Sequence, residues 1–181
     1  HKKRALDLEL SLVEEADTII SVSKSESKLF SSYYPYKEIV VLGFVLEHNF
    51  LPPNIEQRKD LLFVGNLDHD ESPNVDSILW FIDEIFPEMI AVKNDLKLNV
   101  VGSCKSQKLK DAVLGRENIF LHGKVPSIVS FYETAKIFIA PTRFAAGVPY
   151  KLYEAASYGL PFVCTDILKK QMDWECINGI E

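Results

Sequence analysis

The sequence predicts an α/β protein with a Rossmann-like parallel sheet covered by helices on both faces. Three observations carry this reading. Short apolar runs alternate with longer amphipathic stretches along most of the 181 residues. The apolar runs read as strands buried on both faces, and the stretches between them as crossover helices. The connections are short and carry Gly, Pro, Asn or Asp. Strands joined through helices run parallel.

The elements follow in order. Arg4 to Ala16 reads as a helix whose broad apolar face holds Leu6, Leu8, Leu10, Leu12 and Val13. Asp17 to Val22 is a short β-branched strand. Ser23 caps a helix running to about Ser32, and Pro35 stops it. Lys37 to Leu42 is a further strand. Residues 47–59 (EHNFLPPNIEQRK) have two prolines, two asparagines and no period, as a linker does.

A regular series follows. Asp60 to Gly65 is an apolar strand ending in Gly. Ser72 is an N-cap and Pro73 a first helical residue. Val75, Ile78, Leu79, Ile82, Ile85, Phe86 and Met89 then mark one buried stripe of a single long helix. Leu96 to Gly102 is a strand, Gln107 to Leu114 a helix closed by Gly115, and Asn118 to Leu121 a strand. Ser127 to Ala135 is a helix, Lys136 to Ala140 a strand, Pro149 to Tyr158 a helix with Gly159 at its end, and Pro161 to Cys164 a strand.

Composition excludes several classes of function. Apolar residues make up 47% and charged residues 25%, which excludes a disordered or fibrous chain. A net charge of −6 argues against a nucleic-acid partner. The longest apolar run, Ile39 to Leu46, is too short to be a transmembrane segment. Cys104, Cys164 and Cys176 form no CxxC pair and fit a reducing compartment. His1, His48, His69 and His122 show no ligand spacing, so no metal is predicted. The first residues have no signal-peptide pattern. They lack a starting Met and begin inside a helical pattern, which reads as a piece of a longer protein.

In parallel α/β sheets, ligands sit beyond the carboxyl ends of the strands. That rule selects five loops: Gly65-Asn66, Gly102-Ser103, His122 to Lys124, Pro141 to Arg143, and Thr165-Asp166. Residues 141–165 (PTRFAAGVPYKLYEAASYGLPFVCT) carry the most information. A strand ends at Pro141, a loop with the small residues Ala145, Ala146 and Gly147 follows, and after Val148 a helix starts at Pro149. Gly147 can take positive φ, and a helix N-terminus offers unpaired N–H groups to a phosphate. Arg143 and Lys151 flank this point as cations. Glu154 lies about 7.5 Å further along the helix axis, near the spacing between a diphosphate and its ribose. A carboxylate there can accept from two vicinal hydroxyls. The competing reading is a surface ion pair between Lys151 and Glu154, three residues apart.

These residues resemble the donor-binding signature of retaining GT-B glycosyltransferases of family 4, the glycosyl transferases group 1. The match runs through Pro141, Arg143, Gly147, Lys151, Glu154-Ala155, Gly159, Pro161 and Val163. LLFVGNLDHDESPNVDSILWFIDEIFP, LKLNVVGS and ENIFLHGKVPSIVSFYETAKIFIAPTRF resemble the preceding units of the family's C-terminal domain. The resemblance covers roughly residues 12–176. It implies a tail of the N-terminal, acceptor-side domain at 1–46, an interdomain linker at 47–59, and a C-terminally truncated donor-binding domain at 60–181.

The resemblance also implies roles. Glu154 matches the second Glu of the family's Glu-x7-Glu pair, which holds the ribose; the first falls on Ala146. Gly65 matches the first-strand Gly, but Asn66 stands where many members have Arg, and Pro73-Asn74 where they have Lys. The diphosphate charge then falls to Arg143 and Lys151. Gly123, Lys124 and Val125 lie where the family's base packs against backbone. The implied reaction is sugar transfer from a nucleoside-diphosphate sugar, with retention and without a metal or cofactor. The acceptor, a sugar, lipid-linked or other molecule, is bound by the N-terminal domain. No catalytic residue can be named. The implied setting is cytoplasmic, peripheral at the inner membrane surface, in polysaccharide or glycoconjugate synthesis. The isolated piece is expected to bind donor weakly and to transfer sugar inefficiently.

Two other readings stay open: a non-catalytic nucleotide-sugar binding module, suggested by Ala146 and Asn66, and a nucleotide-sugar epimerase of the same fold. A dinucleotide-dependent dehydrogenase is disfavoured, because no GxGxxG follows a strand. Among the remaining candidates, His69 reads as a solvated loop residue, Ser103 to Lys105 as a solvent-facing turn, Cys164 as a packed thiol, and Trp80 and Trp174 as packing residues.

Overall fold

A computed structural model describes residues 2–43, 45–46, 55–144 and 147–172. The linker residues 47–54, and Ala145, Ala146, Trp174 and Cys176, lie outside the described residues. Two compact units divide the chain, one running to Val45 and the other from Leu46 to Met172.

The first unit contains α1 (Lys2–Glu15), β1 (Thr18–Ser21), α2 (Lys24–Tyr33) and β2 (Glu38–Val41). The two strands pair in parallel, from Thr18↔Glu38 to Ser21↔Val41. Ser23 caps α2 as its sequence position predicts, its Oγ accepting from the Glu26 N–H at 3.1 Å. The core is Val13, Ile19 and Phe30, with Leu10, Tyr34 and Ile39 against it. The broad apolar face predicted for α1 is narrower in the fold: Leu8 and Leu12 are exposed.

The second unit holds β3 (Lys59–Val64), α3 (Pro73–Trp80), α4 (Phe86–Val92), β4 (Leu98–Val101), α5 (Gln107–Val113) and β5 (Ile119–Gly123). Then come α6 (Val129–Thr134), β6 (Ala135–Ala140), α7 (Tyr150–Ser157), β7 (Phe162–Cys164) and α8 (Asp166–Met172). Its five strands are all parallel, in the order β5-β4-β3-β6-β7. Alternation along the strands builds one core on each face. Leu61 and Phe63 of β3 join Val75, Ile78, Ile82, Phe86 and Leu109 on one side. Leu62 joins Tyr132, Phe138, Leu152, Leu160 and Leu168 on the other. The period of two along a pleated strand produces this division.

Three predicted elements differ in the fold. The long helix over 73–92 is broken by a π-helical turn at Phe81–Ile85. Pro87 has no N–H and its ring collides with the carbonyl four residues back, so the α ladder cannot pass it. The chain widens instead, and the Phe86 N–H reaches the Phe81 carbonyl, five residues back. The Ile82 carbonyl, which Pro87 cannot serve, accepts from Arg116 Nη1 at 2.8 Å. The helix after Pro149 begins at Tyr150, with Pro149 in the cap position at ψ 70°. Finally, Thr165-Asp166, expected as a loop, opens the helix α8. The Thr165 carbonyl accepts its first N–H groups, from Leu168 and Lys169.

Candidate functional site

The strand order reverses direction between β3 and β6, because β4 and β5 lie to one side of β3 and β6 and β7 to the other. Neighbouring crossovers leave a crevice at such a point, beyond the carboxyl ends of the strands. The loops that open there are those after β3 and β6, which hold Gly65-Asn66 and, among the described residues, Arg143, Phe144, Gly147 and Val148.

The carboxyl edge of the sheet is built from glycines that let backbones close up. The Gly65 N–H donates to the Val101 carbonyl at 3.0 Å, and the Gly102 N–H to the Gly123 carbonyl at 2.9 Å. Gly102 has φ +140°, and a Cβ there would lie 1.9 Å from the Gly65 oxygen. No other residue fits that position; the sequence places Gly102 in one of the five candidate loops, but the role as a close-approach glycine is seen only in the fold. The β4–α5 loop also differs from the predicted solvent-facing turn. Ser103 Oγ donates to Asp68 Oδ1 at 2.8 Å and the Leu67 N–H to the Ser103 carbonyl at 2.7 Å, which ties it to the β3–α3 loop.

Lys151 and Glu154 do not pair with each other. The Lys151 ammonium donates to Asn74 Oδ1 at 3.0 Å and stands 5.0 Å from the centre of the Phe63 ring. Asn74 in turn donates through Nδ2 to the Asn66 carbonyl at 3.2 Å. A Cβ on Gly65 would press on Asn74 Cγ at 3.0 Å, so Gly65 makes room for this side chain. Asn74 thus joins the end of β3 to the first turn of α7. Its sequence position, two residues after the N-cap Ser72, was the available signal. Burial without a counter-charge lowers the Lys151 pKa to about 8.

Glu154 turns the other way. Its Oε2 accepts from the Tyr132 hydroxyl at 2.8 Å. Tyr132 is fully buried and lies parallel to Tyr158, ring centres 5.0 Å apart and 7° between planes. Burial, and then the Glu154 charge, push the Tyr132 pKa up, so the phenol stays a neutral donor.

Arg143 is placed beside the same crevice but is engaged. Its guanidinium grips the Asp76 carboxylate through Nε, at 2.9 Å, and through Nη2. It also lies over the Trp80 ring, 5.6 Å from its centre. Trp80, read from sequence as a packing residue, is a platform for this cation. The pair is partly exposed, the kind that water and salt weaken.

The loop before α7 agrees with the sequence in one respect and departs in another. Gly147 has φ +85°, as its place before the helix predicts. The Tyr150 N–H is spent on the Val148 carbonyl and the Leu152 N–H on the Pro149 carbonyl, so the helix N-terminus offers fewer free amides than a regular one. Gly123 has φ +68° with open space where a Cβ would stand; Lys124 is exposed, and Val125 packs against the Tyr132 side of the core. His122 shares a hydrogen bond with Asn99 Oδ1 at 2.8 Å, and burial lowers its pKa. His69 is exposed. Burial raises the Cys164 pKa, in keeping with a packed thiol.

Comparison with known proteins places the fold in a family. The family model for glycosyl transferases group 1 matches residues 58–177. A Klebsiella pneumoniae protein described as an uncharacterized 44.6 kDa protein in the cps region is 29% identical over 115 residues, 60% of this chain and 29% of that one. Among solved structures, the pneumococcal O-GlcNAc transferase GtfA, in complex with UDP and GlcNAc, superposes with TM-score 0.68 and 18% identity. That match covers 88% of this chain and 32% of GtfA. A point mutant of S. aureus TarM, in complex with Fondaparinux, alpha-GlcNAc-glycerol and UDP, gives 0.64 at 14% identity, over 84% of this chain and 30% of TarM. At these identities the structures establish a shared fold, and the chain spans about a third of the length of the proteins it matches. With a parallel five-stranded sheet whose strand order reverses between β3 and β6, and the family pattern across two thirds of its length, the chain belongs to the glycosyl transferases group 1 family.

Proposed function

We propose that the second unit is the donor-binding portion of a glycosyltransferase that takes a sugar from a nucleoside-diphosphate sugar. The observation that carries this reading is the divergence of Lys151 and Glu154. One turn of α7 presents a cation toward the end of β3 and a carboxylate toward α6. A ligand spanning both must carry negative charge at one end and hydroxyls at the other, as a nucleoside diphosphate does.

In this reading Lys151 meets a phosphate, joined by Arg143 once it leaves Asp76. Glu154 accepts from the ribose hydroxyls. Gly65, Asn66, Gly147 and Val148 bring backbone close to the diphosphate, and Gly123, Lys124 and Val125 border the base. The two cations stabilise the charge that develops on the diphosphate as the bond to the sugar carbon breaks. The acceptor oxygen bonds the sugar carbon on the face the diphosphate leaves, which retains the anomeric configuration, and the departing phosphate oxygen takes the acceptor's proton. The scheme needs no metal ion, cofactor or enzyme nucleophile. The acceptor, a sugar or lipid-linked molecule, binds on the N-terminal side of the intact protein. The complexes of GtfA and TarM with UDP support the donor class. The cps-region relative supports a role in polysaccharide or glycoconjugate synthesis. A cytoplasmic setting, peripheral at the inner membrane surface, belongs to the same proposal. No helix among the described residues is long and apolar enough to cross a membrane.

The test is a calorimetric titration of the intact protein with UDP-, GDP- and ADP-sugars, followed by assays of donor turnover. Glu154→Ala is expected to weaken nucleoside-diphosphate binding more than tenfold, about 1.4 kcal/mol. Arg143→Ala is expected to weaken diphosphates much more than nucleosides. Unchanged affinity in a folded Glu154→Ala protein overturns the reading. Binding with no turnover under any acceptor leaves a non-catalytic module, and epimer formation without acceptor an epimerase.

A further inference from the structure

The Glu154 carboxylate is held at one oxygen by a buried group. Oε2 accepts from the Tyr132 hydroxyl, which leaves Oε1 as the oxygen to meet a ligand. A glutamate side chain has three rotatable bonds, and a free one spreads over many rotamers. Here Tyr132 restricts it. The Tyr132 ring is itself fixed, fully buried, parallel to Tyr158 and 6.1 Å from Phe138. It projects from α6, a different element from the α7 that carries Glu154, so the bond also sets α7 against α6.

We infer that Tyr132 is a positioning residue for ribose recognition: its hydroxyl pins Glu154 Oε2 so that Oε1 faces the vicinal hydroxyls of a nucleoside diphosphate. The inference rests on the donor-site reading and adds a residue to it. A preformed carboxylate loses less rotamer freedom on binding than a mobile one. A phenol held above its ordinary pKa by burial keeps donating across the working pH range. Discrimination between ribose and 2′-deoxyribose therefore depends on a residue that does not itself touch the ligand.

The experiment measures affinities of the intact protein for UDP, 2′-deoxy-UDP and inorganic pyrophosphate by calorimetry. Four proteins are compared: wild type, Tyr132→Phe, Glu154→Ala and the double variant. Tyr132→Phe keeps the ring and its stacking and removes only the hydroxyl. It is expected to weaken UDP about fivefold or more, to leave pyrophosphate unchanged, and to bring the UDP to 2′-deoxy-UDP ratio close to one. Added to Glu154→Ala it is expected to do nothing further, because coupled partners are not additive. If Tyr132→Phe weakens UDP and pyrophosphate alike, or leaves the ribose ratio at its wild-type value, the positioning role is overturned while the donor site stands. Where GDP or ADP binds the wild type better than UDP, it and its 2′-deoxy form replace the uridine pair in all four proteins. If Glu154→Ala leaves the ribose ratio unchanged, or if none of UDP, GDP and ADP binds, the donor-site reading falls and takes the positioning role with it. Should Tyr132→Phe fail to fold, Tyr158→Leu, which unstacks the Tyr132 ring without removing its hydroxyl, is expected to lower the ratio part of the way. No change in a folded Tyr158→Leu protein then overturns the inference.

Discussion

Lys151 shows how a single residue can be placed at a cost to the fold. Burial brings its pKa to about 8, below its ordinary value. Between pH 8 and about 10.5 the unfolded chain holds a proton that the folded chain has released, so this residue makes stability rise with pH across that window. Below pH 8 the full cost is present, about 3 kcal/mol by the same linkage. Lys151→Met is therefore expected to raise the Tm at pH 7 and to flatten the rise above pH 8, while losing affinity for diphosphates. In the wild type, diphosphate affinity should fall as pH passes about 8, and binding near that pH should take up a proton. Calorimetry in buffers of different ionisation heat reads the uptake. A Lys151→Met protein that is less stable and binds diphosphate normally would contradict the assignment.

Much of the local structure at this scale was legible in the sequence. Ser23 and Ser72 cap the helices their positions predict, and Gly147 takes the positive φ its loop requires. What was not legible is pairing across long separations. Nothing near Arg143 in sequence points to Asp76, and nothing near Glu154 points to Tyr132, because these contacts exist only once the sheet brings α3, α6 and α7 together. For the same reason the i,i+3 rule favoured a Lys151–Glu154 pair that the fold replaces with two better-placed partners.

At the scale of an element, the break over 73–92 follows from one proline. A stripe at helical spacing hides Pro87, because apolar periodicity counts side chains and ignores the missing N–H. The fold answers with a π-helical turn and with Arg116, which donates to the Ile82 carbonyl and to Asp83 Oδ1 at 2.7 Å. The two bonds differ in weight. The Arg116–Asp83 pair is partly exposed and contributes little. The carbonyl has no helical donor, so losing Arg116 leaves it unserved. Arg116→Ala is expected to cost about 1–2 kcal/mol and Asp83→Ala less than about 0.5 kcal/mol, read by urea unfolding. Equal costs would move the weight to the ion pair.

Across the whole molecule, the crevice exists because β3 is central and its neighbours β4 and β6 carry crossovers in opposite directions. That order is not written in any one segment, although the alternation of strands and helices was. The Gly102 contact with Gly65 locks two strand ends together at this point. Gly102→Ala is expected to cost at least about 2 kcal/mol, lowering the Tm by roughly 5 °C or more in a thermal scan. A neutral substitution would mean that the edge of the sheet relaxes freely.

The most direct measurement is a crystal structure of the protein with a nucleoside diphosphate bound. Phosphates are expected beside Lys151 and the 147–150 turn, with Arg143 swung from Asp76 and ribose hydroxyls on Glu154 Oε1, the Tyr132 bond intact. A nucleotide bound away from the β3–β6 crevice, or Glu154 turned into solvent with its ribose contact missing, would contradict it.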